Sequence, residues 1–190
     1  AGQFQVYFDG SDVGLTKDSE DIDALSVRRD GSLVVSTTGD YNVPGLTGND
    51  KNLLAFTPSS LGANTAGVWS LYVKGADIGL QDGNSEDISS LWLDEQTPNT
   101  VGLYLSTLDD FEVNQLSGDN NDLIACQIGT AAPCAFQRFW AGDEHSFDDE
   151  TIDAFARSAG LANNQLVVAA DATDDDGGAQ DDVEPAAEAL

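Results

Sequence analysis

Early in the chain, apolar and polar residues alternate in short runs broken by Gly, Pro, Asn and Asp. This is the period-two signature of strands, not the 3.6-residue spacing of helices. Four runs carry it, at residues 22–27, 32–37, 52–57 and 68–74. The Arg29-Asp-Gly31 triplet predicts a tight turn between the first two, because glycine tolerates the backbone that such turns require. Residues 39–51, with Pro44, Gly45 and Gly48, read as a loop, and residues 59–67 as another. Residues 149–159 would place Ile152, Phe155, Ala156 and Ala159 on one helical face, but their counterparts elsewhere in the chain are strands, so a strand is expected.

The pattern then returns, with a period of about 65–70 residues. Phe8-Asp-Gly-Ser-Asp-Val-Gly-Leu15 matches Val73-Lys-Gly-Ala-Asp-Ile-Gly-Leu80, and the Glu20 to Leu25 segment matches Glu86 to Leu91. Likewise Leu33 to Thr37 matches Leu103 to Thr107, Gly48 to Phe56 matches Gly118 to Cys126, and Ala66 to Tyr72 matches Pro133 to Phe139. A third copy starts at Phe139-Trp-Ala-Gly142, continues through Glu150 to Phe155 and Asn164 to Val168, and stops halfway. The expected organisation is repeat 1 with an N-terminal strand at 1–75, repeat 2 at 76–140, a partial repeat 3 at 141–171, and an acidic tail at 172–190 whose composition is that of disordered segments. Four short antiparallel strands per unit predict an all-β, repeat-built fold of β-propeller-blade-like sheets, an incomplete propeller, with a β-sandwich as the alternative.

The Phe8 to Leu15, Glu20 to Leu25, Asp30-Gly-Ser-Leu33 and Thr57 to Tyr72 segments resemble a repeat of large uncharacterised secreted bacterial surface proteins. The resemblance spans residues 6 to about 140, more loosely 139–171, and is strongest in the first copy. The second copy has lost acids, with Lys74 in the place of Asp9 and Ser89 in that of Asp23. The resemblance implies secretion and repetition and brings no reaction with it.

Charge changes the picture most. The 34 Asp and Glu against 7 Lys and Arg give a net charge of −27, and eight of the acids lie in the last twenty residues, so the repeats themselves are strongly acidic. Such a field opposes binding to nucleic acid, and no apolar run is long enough for membrane insertion. Either the carboxylates gather hard divalent cations or the surface is adapted to high salt, where repulsion is screened. The chain has no Met and begins Ala1-Gly2, as expected of a secreted chain from which a signal peptide has been removed. Cys126 and Cys134 flank a short Gly- and Pro-containing segment and are expected to form a disulfide, as an oxidising compartment allows. With one histidine, His145, they cannot make a four-ligand zinc site.

Acid-rich turns are the candidate chemistry, since calcium takes six to eight oxygens brought together by such turns. The expected metal ligands are Asp9, Asp12, Glu20, Asp21 and Asp23 in repeat 1, Asp77, Glu86 and Asp87 in repeat 2, and a second cluster around Asp50 and Asp119. None of these stretches matches a known calcium-loop motif, so the signal is compositional. No nucleophile elbow, phosphate-binding loop or metalloprotease signature is present, and the chain is expected not to be an enzyme. A secreted hydrolase would need an acid pair held in a cleft. Trp69, Trp92, Trp140, Tyr7, Tyr72 and Tyr104 are available to a glycan site, although Trp69, Tyr72 and Tyr104 fall on strands and read as core.

The unfinished third repeat predicts self-association. The Phe4 to Phe8 stretch resembles the closing strand of a repeat, so Phe4, Val6 and Phe8 of one chain would complete the half-repeat around Leu166 and Val168 of the next. The expected function is a non-enzymatic extracellular structural subunit of a filament, sheath or surface layer, stabilised by calcium and head-to-tail strand complementation. The alternative is a calcium-dependent module that binds glycan or protein.

Overall fold

A computed structural model describes residues 2–81, 86–97, 100–129, 134–147, 150–157, 165–172 and 186–189. Its strands are β1 (Ala24–Val27), β2 (Leu33–Ser36), β3 (Tyr41–Val43), β4 (Leu46–Gly48), β5 (Leu53–Ser60), β6 (Ala66–Val73), β7 (Ile88–Thr97) and β8 (Thr100–Thr107). They continue with β9 (Phe111–Val113), β10 (Leu116–Gly118), β11 (Leu123–Ile128), β12 (Gln137–Trp140), β13 (Glu150–Arg157), β14 (Gln165–Ala172) and β15 (Ala186–Ala189). One helical turn, α1 (Gly75–Ile78), and three 3-10 turns complete the described elements.

The fold is all-β, and its sheets are antiparallel. Each full repeat makes one four-stranded sheet, in the order β1-β2-β5-β6 and then β7-β8-β11-β12, while β13-β14-β15 makes a third. The four strands expected in repeat 1 correspond to β1, β2, β5 and β6. The loop expected at residues 39–51 contains the small β3–β4 hairpin, repeated as β9–β10. Its three-residue strands are too short for alternation to stand out beside Pro44 and Gly45.

Because strand side chains alternate between faces, each sheet has two different faces. In the first sheet Leu33, Val35, Leu54, Phe56 and Trp69 form a core on one side, closed over by Val13, Leu15, Tyr41 and Val43. Ala24, Val34, Leu53 and Ala55 point the other way, into a core shared with Leu91, Leu93, Leu103 and Leu105 of the second sheet. The opposite face of the second sheet offers Trp92, Tyr104 and Leu123 to a third core with Ile152, Phe155, Leu166 and Val168. The middle sheet is therefore buried on both faces, so the sheets stack in series like blades instead of closing as a two-sheet sandwich.

Two glycines hold each repeat against the next. A side chain at Gly75 would collide with the Lys51 backbone, and one at Gly142 with that of Asn121, so no larger residue fits where the chain enters a new unit. The Gly75 N–H also donates to Asn52 Oδ1 at 3.0 Å.

Cys126 and Cys134 are joined in a buried disulfide with Cα atoms 5.4 Å apart, which ties β11 to the approach to β12. One expectation is corrected. The N-terminal stretch is not a strand: Phe8 makes a single parallel bridge to Gly62, Gly62 N–H donates to the Tyr7 carbonyl, and the segment is otherwise irregular. Within the acidic tail, Ala186–Ala189 pairs with β14 as the third strand of the last sheet. Its alanines satisfy backbone hydrogen bonds along an edge that would otherwise be open. Residues 173–185 lie outside the described residues.

Candidate functional site

The expected acidic ligands separate into three kinds once placed in the fold. Glu20 and Glu86, equivalent in the two repeats, are almost completely buried at 2% and 0% exposure. Glu20 accepts from the N–H groups of Thr16 at 2.8 Å and Asn42 at 3.0 Å, and from Lys17 Nζ at 2.8 Å. Glu86 accepts from the N–H groups of Gln81 at 2.6 Å and Glu112 at 2.8 Å. These carboxylates staple the incoming turn to the β3–β4 or β9–β10 hairpin, so their lone pairs serve the fold. The Lys17 ammonium and the Thr16 N–H hold the Glu20 carboxyl down at about 2, against the opposing effect of burial.

Asp9, Asp12, Asp21, Asp77 and Asp119 lie near the surface. Asp12 accepts from Thr65 N–H at 2.9 Å, and Asp9 accepts from the Ser11 hydroxyl at 2.6 Å, so both organise the loop against Thr65. Asp21, Asp77 and Asp119 are exposed. Asp119 joins Asp109, Asp110 and Glu112 in lining an open depression of about 890 Å³ with Arg138 beside it. The equivalent depression in repeat 1 has Asp40, Asn42, Asn49 and Lys74 on its walls.

The remaining three, Asp23, Asp50 and Asp87, come together where the first sheet stacks on the second. Burial, then the neighbouring Asp87, raise Asp23 to about 8; burial, then Asp50, raise Asp87 to about 7, with Lys51 opposing. Asp87 is only 8% exposed, and Oδ1 of both Asp23 and Asp87 is buried without a hydrogen-bond partner. Lys51, itself buried, reaches Asp50 Oδ1 at 2.9 Å. Across the same joint Arg28 Nε donates to Glu95 at 2.8 Å, Arg29 N–H donates to the other Glu95 oxygen at 2.8 Å, and Leu93 N–H meets the Ser26 hydroxyl at 3.3 Å.

The second joint has the same positions in neutral form. Ser89, Asn120 and Thr151 stand where Asp23, Asp50 and Asp87 stand in the first. Asn120 Nδ2 donates to Thr151 Oγ1 at 2.7 Å, and the Ser89 hydroxyl donates to the Ile152 carbonyl at 2.9 Å. Arg157 lies over the Tyr104 and Phe139 rings and donates to the Tyr104 hydroxyl at 3.0 Å.

Among the described residues no group of three or more His, Cys, Asp or Glu side chains is gathered closely enough to hold a metal ion. His145 stacks on Trp140 with ring centroids 4.9 Å apart. Trp69 is buried and donates to the Val13 carbonyl at 2.9 Å, Trp140 is buried, and Tyr72, Trp92 and Tyr104 pack against cores, whereas Tyr7 is exposed. No described helix is long and apolar enough to cross a membrane.

Of the residues expected to join chains, Phe8 packs into the core of its own repeat, Phe4 and Val6 are exposed, and Leu166 and Val168 are buried against the second sheet. Sequence reasoning missed Arg28, Glu95, Asn120 and Thr151, which join one sheet to another. The only available signal was their place in the repeat alignment. The chain matches no protein-family model, no curated protein and no solved structure.

Proposed function

We propose that this chain is a non-enzymatic structural subunit of an extracellular assembly such as a filament, sheath or surface layer. The observation that carries the reading is serial stacking: one kind of sheet-on-sheet contact is used twice within the chain, and residues equivalent to those in that contact, Leu25 and Val27 in the first sheet and Ala154, Ala156 and Val167 in the last, are exposed. Units that stack this way extend without new chemistry. Strand complementation offers a second contact in the same reading. β6 and β12 fill the fourth position of the complete sheets, no described strand takes that position beside β15, and the exposed Phe4–Val6 stretch is a segment a neighbouring chain has to offer.

Calcium enters this proposal as counterion to a chain carrying −27, with Asp109, Asp110, Glu112 and Asp119 as the acid-lined surface it would occupy. That same depression favours the second reading, a calcium-dependent module binding glycan or protein.

Light scattering and electron microscopy in millimolar calcium, and again in excess chelator, test the proposal. Polymers that dissolve on chelation support a calcium-stabilised subunit. A monodisperse particle under both conditions counts against it and turns attention to the binding module, for which a glycan array with and without chelator is the direct assay.

A further inference from the structure

Leu25 and Leu91 occupy equivalent positions in the two repeats, as do Val27 and Leu93. Leu91 and Leu93 are 4% and 7% exposed, while Leu25 and Val27 are 41% and 51% exposed. Strand register rules out a difference in side-chain direction. Leu25 pairs with Val35 and Val27 with Leu33, as Leu91 pairs with Leu105 and Leu93 with Leu103, so all four point to the same face of their sheets. What differs is the cover. The first sheet lies over Leu91 and Leu93, presenting Ala24, Ser26 and Val34, and among the described elements nothing equivalent lies over Leu25 and Val27.

The other end of the stack mirrors this. Ala154, Ala156 and Val167 of the third sheet are the counterparts of Ala24, Ser26 and Val34. In the first sheet those residues are buried at 3%, 6% and 0%, whereas Ala154 and Ala156 are exposed and Val167 is 46% exposed. Their register agrees: Ala156 pairs with Val167 as Ser26 pairs with Val34. The chain therefore exposes, at opposite ends, both halves of a contact it already makes inside itself.

The geometry points to a second copy of this chain as the occupant of both faces: Leu25 and Val27 of one copy stack on Ala154, Ala156 and Val167 of the next. The contact is heterologous, head-to-tail, and propagates. This rests on the assembly reading above and names its surface. Because each copy carries −27, added salt should strengthen the association by screening repulsion while leaving the apolar contact intact.

Sedimentation velocity on the 190-residue chain and two face variants tests it. The variant L25D/V27D blocks one end and A156D/V167D the other, and circular dichroism verifies that each is folded. The unaltered chain should give a ladder of oligomers that grows with salt, and each variant alone should give monomer. An equimolar mixture of the two should stop at dimer, since each partner contributes one intact face. Oligomers that persist unchanged in both variants overturn this contact while leaving the subunit reading standing. An unaltered chain that stays monomeric at every concentration and salt overturns both.

Discussion

The two sheet-to-sheet joints occupy the same place in successive repeats and solve the same problem differently. In the second, Ser89, Asn120 and Thr151 are neutral, and Asn120 and Thr151 hydrogen-bond each other directly. In the first, Asp23, Asp50 and Asp87 meet with one buried cation, Lys51, and two carboxyl oxygens are left without partners. A neutral network has the same energy across ordinary pH, whereas a buried carboxyl pair that cannot both ionise must take up a proton or a counterion. The network of Ser89, Asn120 and Thr151 therefore has no carboxyl to titrate, whereas that of Asp23, Asp50 and Asp87 responds to protons and counterions.

The largest effect should come from converting the first joint to the second. Asp23→Ser with Asp87→Thr keeps the Asp50–Lys51 pair and removes both raised carboxyls. These groups bind protons more tightly folded than unfolded, so the stability present below about pH 4 is lost as pH rises through about 7 for Asp87 and about 8 for Asp23. The slope approaches about 1.4 kcal/mol per pH unit for each group, less where solvent screens it. Thermal unfolding from pH 4 to pH 9 should show a decline for the native chain and a flatter curve for the double variant. Superimposable curves would remove the distinction between the joints.

The reverse graft comes next. Ser89→Asp with Thr151→Asp places carboxyls in the neutral joint and removes the hydroxyls that bond Ile152 and Asn120. The expected cost is about 1–3 kcal/mol at pH 8, partly recovered at pH 5. Fluorescence of Trp92 and Trp140, which border this core, would report its loosening. A cost independent of pH would mean that packing, not charge, governs the joint.

Glu20→Gln should act in the opposite pH sense. Its carboxyl is lowered to about 2, so its contribution is present above the ordinary carboxylate range and lost as pH falls through about 2. Removing the charge should cost about 1–2 kcal/mol at neutral pH and little near pH 2, measured by denaturant unfolding. Equal losses at both pH values would show that shape, not charge, holds the hairpin.

The smallest change is expected from Arg28→Ala. Its ion pair with Glu95 bridges the first joint, but the Arg28 side chain is 27% exposed, so the loss should be about 1 kcal/mol and shrink in high salt. A larger loss would make this pair, and not the carboxyl cluster, the main polar tie between the sheets.

Much of the architecture was legible because strand alternation is local and the repeat doubles every signal. β1, β2, β5 and β6, and the strand at Glu150–Arg157, all follow from it. The Cys126–Cys134 disulfide was legible from spacing alone. The β3–β4 hairpin was not, since three-residue strands carry almost no periodicity, and neither was the strand at Ala186–Ala189, whose alanines are placed by pairing with β14. The candidate sites were harder still. Composition drew attention to ten acids without distinguishing Glu20 and Glu86, occupied by backbone donors, from Asp23 and Asp87, whose oxygens lack partners.

By itself, the sequence determined the class of fold, the repeat, the disulfide and the excess of negative charge, because alternation, recurrence and charge are properties of residues in order. Only the tertiary structure decided what each carboxylate faces and which apolar residues stay uncovered. Leu25 and Leu91 have the same local sequence role and the same strand direction, yet one is buried and the other exposed because a sheet lies over one and not the other. Burial depends on what packs against a residue, and that partner lies tens of residues away along the chain.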